Sequence, residues 1–501
     1  MAAEASLARR SWQALRWSYA GALVRLLAQL VIQLAMARLL GPQAYGQAAA
    51  ALLVIGVGWL FADAGLGNAL VQKPEISERD VSQALGWVLL VSLLLTAAVA
   101  LAAPWLARWW GDEALTPLLR VCGLWIPLQA LSNLPASLMQ RRLDMRRLQW
   151  IQTGGYLISY GGLGLLMAAA GWGAWALVAA AGAHGAWCLV GCWLCEQHTL
   201  QPRLTGDAAL RRFGLGVAAS NLANWAIENL DRLLIGRLWG APPLGEYVVA
   251  GNLARAPLNL LVTSAQSVAF ASAARLQDDL AALRQGTLAL LCLAMLLSAP
   301  LFALLGMHAQ ALVQLLYGPR WSGAGPLFAV ACAALPALTL VALTGPLLRA
   351  VGAVRVELQA QWPGLLVLLG GLWWLQPLPL AQAAWVAVAA AVLRALFCVA
   401  GLARRIGLAG RDVVAALWPA LLLTGLALVA SALCLRLLGS GLTALALACA
   451  LTLLLGAALL RWRRAALLQP SLRRLLQARA AQSPAAARAC AALGWQPRPE
   501  A

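Results

Sequence analysis

Three features of the sequence predict an all-α polytopic membrane protein with fourteen transmembrane helices, in two pseudo-symmetric six-helix lobes followed by two C-terminal helices. Of the 501 residues, 62% are hydrophobic and only 11% are charged, whereas a soluble domain averages about 25% charged residues. Apolar segments of about 20 residues, the length that crosses a bilayer, recur along the chain. A short motif also repeats at matching places in the two halves. This composition leaves little room for a separate soluble domain.

The apolar segments form two sets of six and a final pair. After a cytoplasmic segment, 1–15, the N-terminal lobe, 16–195, has spans near 16–40, 46–71, 82–107, 115–139, 148–170 and 174–195. A polar linker, 196–212, leads to the C-terminal lobe, 213–403, with spans near 213–237, 244–272, 286–305, 324–348, 356–375 and 381–403. The region 404–460 adds spans near 413–435 and 441–460, and a basic tail covers 461–501.

The distribution of basic residues tests this count and orients the chain. With the N-terminus in the cytoplasm, 27 of the 37 Lys and Arg residues fall on the cytoplasmic side and five on the opposite side. One missed span would invert every later loop, so the asymmetry supports fourteen spans under the positive-inside rule. Both termini are therefore predicted to be cytoplasmic. We expect the first apolar segment to remain as a span, because it is longer than the apolar part of a cleaved signal peptide.

A nine-residue motif ends the first and the seventh spans. "RLLGPQAYG" at 38–46 and "RLWGAPPLG" at 237–245 both read R-L-x-G-x4-G and lie 199 residues apart. Each predicts a helix that ends at glycine and a short turn into the next span. Parallel repeats of this kind are a transporter architecture, in which the substrate is handled between the lobes. Transport is therefore the leading class of function.

Charged residues within the spans mark candidate sites, because such residues are costly in lipid and usually face a cavity or a partner. Only three acids lie clearly inside spans: Asp63, Glu228 and Asp231. The excess of positive charge favours an anionic cargo. The candidate substrate-binding arginines are Arg25, Arg120, Arg232, Arg255 and Arg394.

The seventh span, "SNLANWAIENLDRLLIGR", carries several polar residues on one helical face. At about 100° per residue, Asn221, Asn224, Glu228, Asp231 and Arg232 fall within one arc. Two interpretations remain open. The face could be an internally neutralised packing motif, with an ion pair between Glu228 and Arg232. Alternatively, it could line a cavity, where arginine binds phosphate, asparagines bind sugar hydroxyls and the acids release the phosphate or take a proton.

Other chemistries find little support. A P-loop needs glycine followed by lysine, and the only lysine, Lys73, lies between Gln72 and Pro74. "CLVGCWLC" at 188–195 has a spacing seen in iron–sulfur sites, but on an apolar helix this spacing describes one face. The histidines, at 184, 198 and 308, are far apart. We therefore expect no cofactor, metal ion, ATP hydrolysis or catalytic residue. Binding of nucleic acid has only the positive charge in its favour.

An ordered set of motifs resembles the polysaccharide exporters of the multidrug/oligosaccharidyl-lipid/polysaccharide superfamily, in particular the Wzx-like branch associated with colanic acid. They are "ARLLGPQAYG" (37–46), "DAGLGNALVQ" (63–72), "LMQRRLDMRRL" (138–148), "NLDRLLIGRLWGAPPLGEY" (229–247) and "LLYGPRWSGA" (315–324). Together they extend over most of 16–410. Each motif is weak alone, but their order is specific.

The resemblance implies a flippase that moves an undecaprenyl-diphosphate-linked oligosaccharide across the inner membrane by alternating access between two lobes in a V. It matches Asp63 to the acid before the G-L-x-x-A-L segment of the family, and Asp231 to the acid of its D-x-L-I-G-R segment. It also matches Arg141 and Arg142 to a basic cytoplasmic gate. We expect Asp63, Glu228, Asp231, Arg141 and Arg142 to act in ion coupling or gating. A polysaccharide polymerase and a chain-length regulator are the expected protein partners.

Three alternatives remain at this stage. A lipid II flippase of the same superfamily would also carry a diphosphate, so charge does not distinguish it. A multidrug exporter of small cations would need an acidic cavity, which the excess of arginine opposes. A membrane-embedded polymerase or ligase belongs to a different class and would need a long outward loop, whereas the predicted outward loops are short.

Overall fold

The computed structural model describes residues 2–63, 66–73, 75–196, 201–205, 208–276, 279–439 and 441–462. Within these residues every regular element is a helix and no strand occurs. Eight of the described helices are long and apolar enough to cross a membrane. The chain divides into two compact units, Met1–Val248 and Val249–Ala501. A multi-helix membrane protein, as the composition predicts, is confirmed.

The first unit contains the helices up to the start of α9. They are α1 (Ala2–Asp63), α2 (Leu66–Gln72), α3 (Glu78–Trp110), α4 (Leu115–Arg141), α5 (Met145–Tyr156), a π-helical segment (Leu157–Gly164), α6 (Leu165–Ala169), α7 (Trp175–Cys195), α8 (Ala208–Trp239) and α9 (Ala241–Arg275). Helix α8 packs on α1, α2 and α3, which is why this unit extends beyond the linker at 196–212. Its boundary lies within α9.

The second unit contains the rest of α9 and eight further helices. They are α10 (Leu280–Met307), α11 (Ala309–Tyr317), α12 (Ala324–Ala350), α13 (Val354–Trp374), α14 (Leu380–Ala383), α15 (Trp385–Ile406), α16 (Gly410–Leu438) and α17 (Leu442–Trp462). A 3₁₀ turn, Pro319–Trp321, precedes α12. Its apolar core joins α10 to α16 and α12 to α15.

Both copies of the repeated motif break the helix at their first glycine. Helix α1 is interrupted at Gly41, where φ is 74° and ψ is 171°, and Gly240, between α8 and α9, has a φ of 86°. Residues with a side chain rarely adopt this conformation. The helix ends that the repeat predicted are therefore present at both positions.

The second glycines of the two motifs bring these turns together inside the first unit. A Cβ atom built on Gly245 would lie 2.9 Å from the backbone nitrogen of Gly46 and would also overlap the carbonyl oxygen of Pro42. A Cβ atom on Gly46 would lie 3.0 Å from the nitrogen of Gly245 and would overlap the carbonyl oxygen of Ala241. The repeated turns thus touch backbone to backbone, in a reciprocal arrangement.

The described part of the polar linker lies along the start of α3. The backbone nitrogen of Arg203 donates to the carbonyl of Ser82 at 2.9 Å, and the indole of Trp87 donates to the carbonyl of Leu204 at 3.1 Å. A side chain on Gly86 would overlap the backbone of Arg203. Residues 201–205 are therefore attached to the first unit.

Candidate functional site

Arg25 is the predicted arginine with the most developed surroundings. It lies on α1, is partly buried, and its Nη1 donates to Oε1 of Gln152 on α5 at 3.0 Å. Tyr156, Tyr160 and His184 lie close enough to Arg25 to interact electrostatically with its guanidinium group. Among the described residues, Gln152 accepts a hydrogen bond from one of the five N–H donors that an arginine carries.

Aromatic rings lie next to Arg25. Tyr156 and Tyr160 are stacked, with ring centroids 4.7 Å apart and an interplanar angle of 21°. His184 on α7 lies edge-on to Tyr156 at 6.1 Å, and Sγ of Cys188 lies 3.7 Å from its Nε2. Aromatic rings pack well against the apolar surface of a ligand. The phenol and imidazole groups can also form hydrogen bonds.

The local sequence explains this geometry. Gln152, Tyr156 and Tyr160 are spaced by four residues, so they share one face of the helix. The helix changes to a π-helix at Leu157, a form that is frequent at functional sites. Gly155 allows α7 to approach, since a Cβ atom there would lie 3.2 Å from Nδ1 of His184.

Sequence reasoning identified Arg25 but missed Gln152, Tyr156, Tyr160 and His184. The spacing of Gln152, Tyr156 and Tyr160 was the available signal. It is weak alone, because a polar face inside a span also occurs in helix packing. We call these four residues with Arg25 the Arg25 cluster. The cluster combines a cation for an anionic group with aromatic and amide groups that suit a sugar.

The polar face of α8 contains both buried and exposed side chains. Asp231 is 7% exposed and accepts a 2.7 Å hydrogen bond from the hydroxyl of Tyr247 on α9. Arg232 donates through Nη1 to Oδ1 of Asn229 at 3.4 Å. Glu228 is exposed, and no ion pair joins it to Arg232 among the described residues. Asn221 is partly buried. Asp231 therefore links α8 to α9 through its contact with Tyr247.

The remaining intramembrane candidates are dispersed. Arg120 and Arg255 are exposed in the isolated chain. Arg394 lies in the second unit near Glu357, an acid at a span boundary that the sequence count of buried acids omitted. Glu357 also pairs with Arg349 at 2.7 Å. The side chains of Asp63 and Asn224 lie outside the described residues.

The two arginines assigned to a gate have structural partners in the first unit. Arg141 donates through Nη1 to the carbonyls of Leu70, at 2.9 Å, and Val71, at 3.2 Å, and it also contacts the carbonyl of Lys73. These carbonyls belong to the C-terminal end of α2 and the residue after it, which lack helical partners. Arg142 forms a 3.2 Å ion pair with Glu196, whose side chain is 3% exposed.

Replacing Arg141 by methionine is expected to loosen the end of α2. The change removes charge-assisted hydrogen bonds to partly buried carbonyls, and we expect a loss of about 1–3 kcal/mol. Hydrogen exchange of the peptide covering 66–73 should become faster. Arg147→Met is the control, because its 3.5 Å pair with Asp144 is solvent-exposed and surface pairs contribute about 0–1 kcal/mol. Equal exchange in both variants would contradict the capping role.

Two solved membrane transporters have a similar fold. The fold resembles that of "Lipid II flippase MurJ, inward closed conformation", with a TM-score of 0.70 and 10% identity, covering 89% of this chain and 98% of MurJ. It also resembles an inward-facing "multidrug resistance MATE family transporter of the MOP superfamily", with a TM-score of 0.59 and 16% identity, covering 77% of this chain and 98% of the other. The chain therefore has a membrane-transporter fold.

A family model described as "Polysaccharide biosynthesis protein" matches residues 35–326. The chain belongs to this family. It is 26% identical over 323 residues to "Succinoglycan biosynthesis transport protein ExoT" of Rhizobium meliloti, covering 63% of this chain and 64% of that relative. It is 25% identical over 338 residues to "Lipopolysaccharide biosynthesis protein WzxC" of Escherichia coli, covering 65% of this chain and 67% of the relative. The resemblance found in the motifs is confirmed.

Proposed function

We propose that the protein is a flippase that moves an undecaprenyl-diphosphate-linked oligosaccharide from the cytoplasmic to the periplasmic leaflet of the inner membrane, for exopolysaccharide, capsule or O-antigen synthesis. The observation that carries the proposal is the Arg25 cluster, which combines an anion-binding guanidinium with stacked tyrosines on a transporter fold. Membership of the polysaccharide biosynthesis family and the transport and biosynthesis roles in the names of the relatives support it.

In this mechanism Arg25 binds a phosphate of the carrier through its free N–H donors, as a charge-assisted fork. Tyr156, Tyr160 and Gln152 contact the sugar attached to the diphosphate. Two six-helix lobes, followed by two C-terminal helices and with both termini in the cytoplasm, alternate between inward-open and outward-open states. The remaining charged residues keep the roles predicted from the sequence. Those assigned to substrate binding are Arg120, Arg232, Arg255 and Arg394. Those assigned to coupling or gating are Asp63, Glu228, Asp231, Arg141 and Arg142.

The alternatives differ in their cargo or chemistry. A lipid II flippase has the similarity to MurJ in its favour, and a multidrug exporter has the similarity to the MATE transporter. The cationic character of the Arg25 cluster argues against small cations. A polymerase or ligase would elongate the oligosaccharide, so its product would differ from its substrate.

Reconstitution of the purified full-length protein tests the proposal. Vesicles would carry a fluorescent undecaprenyl-diphosphate-linked oligosaccharide, and a membrane-impermeant quencher would report its movement between leaflets. We expect faster exchange than in protein-free vesicles. Faster movement of lipid II or of a cationic dye than of the oligosaccharide would favour the corresponding alternative. An elongated product would indicate a polymerase, and exchange at the protein-free rate for every cargo would reject transport.

A further inference from the structure

A groove of about 740 Å³ lies between α13 and α15 in the second unit, outside the Arg25 cluster. Its walls are mainly apolar, with Val356 from α13 and Leu393, Leu396 and Phe397 from α15. Leu396 is 61% exposed and Phe397 is 48% exposed. The groove is large enough for part of a lipid-sized ligand, since ligand sites typically occupy about 300–1,000 Å³.

The contribution of α15 forms a straight stripe along the helix. It comprises Leu393, Leu396, Phe397, Ala400 and Arg404, which fall within about 100° of one another around the helix. At 1.5 Å per residue the stripe is about 16 Å long. Half of a bilayer's hydrocarbon thickness is about 15 Å. The groove therefore has the length of one leaflet.

The charged end of the groove carries two adjacent arginines, Arg404 and Arg405, and no acid lies among the described residues that line it. Both are exposed, and neither has a hydrogen bond or ion pair with the described part of the chain. Capping of α15 involves a different arginine, because Nε of Arg284 donates to the carbonyl of Ile406 at 2.6 Å. The two charges are thus available to a ligand.

Small residues keep the groove open beneath the arginines. Ala360, Ala400 and Gly401 contribute little side-chain volume to its lining. A Cβ atom on Gly401 would overlap the side chain of Val356 across the two helices. Larger side chains at these positions would fill the space between α13 and α15. An apolar groove that ends in two arginines matches the shape and charge of one lipid with an anionic headgroup.

We propose that this groove binds one anionic phospholipid of the cytoplasmic leaflet, with an acyl chain along Leu393, Leu396 and Phe397 and its phosphate between Arg404 and Arg405. Two guanidinium groups suit one phosphate through paired N–H donors. The positive-inside rule accounts for arginines on this side of the membrane, but it does not account for the apolar groove that leads to them. The bound lipid stabilises the packing of α13 against α15 independently of the cargo.

Native mass spectrometry of the full chain in detergent tests this site. Phosphatidylglycerol and phosphatidylcholine with identical acyl chains would be titrated into wild type, the double variant Arg404→Gln/Arg405→Gln, Ala400→Trp and Arg411→Gln. The double variant removes the charge, and Ala400→Trp fills the groove. Arg411→Gln is the matched control, since this arginine is also exposed, pairs loosely with Asp412 at 3.8 Å, and does not line the groove.

Wild type and Arg411→Gln are expected to bind one phosphatidylglycerol at least tenfold more tightly than phosphatidylcholine. The double variant and Ala400→Trp should lose this preference, and phosphatidylglycerol should raise the Tm of wild type but not of these two variants. Equal binding of both lipids to wild type, an unchanged preference in Ala400→Trp, or an equal loss in Arg411→Gln would overturn the proposal. Retention of a polyprenyl phosphate in the groove in place of phospholipid would also overturn it. None of these results depends on transport activity.

Discussion

Substitution of either Gly46 or Gly245 by alanine is expected to destabilise the first unit severely, by about 2 kcal/mol or more, although each change adds one carbon atom. Overpacking of a tight contact usually costs about 1–3 kcal/mol when side chains can adjust. Here the added Cβ atoms meet backbone atoms, of Ala241 against Gly46 and of Pro42 against Gly245. Backbone cannot rotate away as a side chain can, so the two turns must separate.

Thermal unfolding of the purified protein in detergent measures this effect. Gly251→Ala is the control, because a Cβ atom there meets nothing within 4 Å and alanine favours a helix interior over glycine. We expect the Tm to fall in Gly46→Ala and Gly245→Ala and to remain unchanged or rise in Gly251→Ala. Wild-type stability in Gly46→Ala and Gly245→Ala would show that the repeated turns do not pack as described. This outcome is independent of the cargo.

Replacement of Arg25 by methionine is expected to reduce exchange of the lipid-linked oligosaccharide roughly 10- to 150-fold, with the protein still folded. The estimate corresponds to the loss of a charge-assisted hydrogen bond to a phosphate, about 1.5–3 kcal/mol. Arg25→Lys should retain part of the activity, because lysine keeps the charge but lacks the planar fork. Tyr156→Ala should weaken exchange of the oligosaccharide more than exchange of the carrier diphosphate alone, since the tyrosine is assigned to the sugar.

The vesicle assay with the fluorescent oligosaccharide measures these effects at equal amounts of reconstituted protein. Arg320→Met is the control, because Arg320 is an exposed residue within the short turn Pro319–Trp321 and lies outside the Arg25 cluster. A thermal melt of each variant separates loss of transport from loss of fold. Normal exchange in Arg25→Met would remove Arg25 from the binding site. Equal losses in Arg25→Met and Arg320→Met would show that charge alone is responsible.

Helix positions could be predicted well because lipid imposes strong local rules. The length of each apolar segment and the glycines that end helices can be read directly from the sequence. Helices α3, α4, α7 and α12 overlap the spans predicted for them. The repeated motif likewise predicted two helix ends at Gly41 and Gly240. These features depend on hydrophobicity and backbone conformation within one segment, so no tertiary contact was needed.

The candidate site was harder to predict because its members come from separate helices. Charge inside a span singled out Arg25, but hydropathy could not distinguish it from Arg120, which is exposed. Neutral polar residues such as Gln152 and Tyr160 carry no comparable signal. Asp231 shared a predicted face with Glu228, yet its bond to Tyr247 depends on the packing of α9 against α8.

The sequence by itself determined the membrane environment, the helical fold, the repeated turns and the family, because each follows from composition, segment length or an ordered motif. Tertiary structure decided which polar groups meet: Arg25 with Gln152 and the stacked tyrosines, Arg141 with the end of α2, and Gly46 with Gly245. The physical reason is that hydrophobic burial selects a face of a helix, whereas hydrogen bonds and backbone contacts require a particular partner at a distance of about 3 Å.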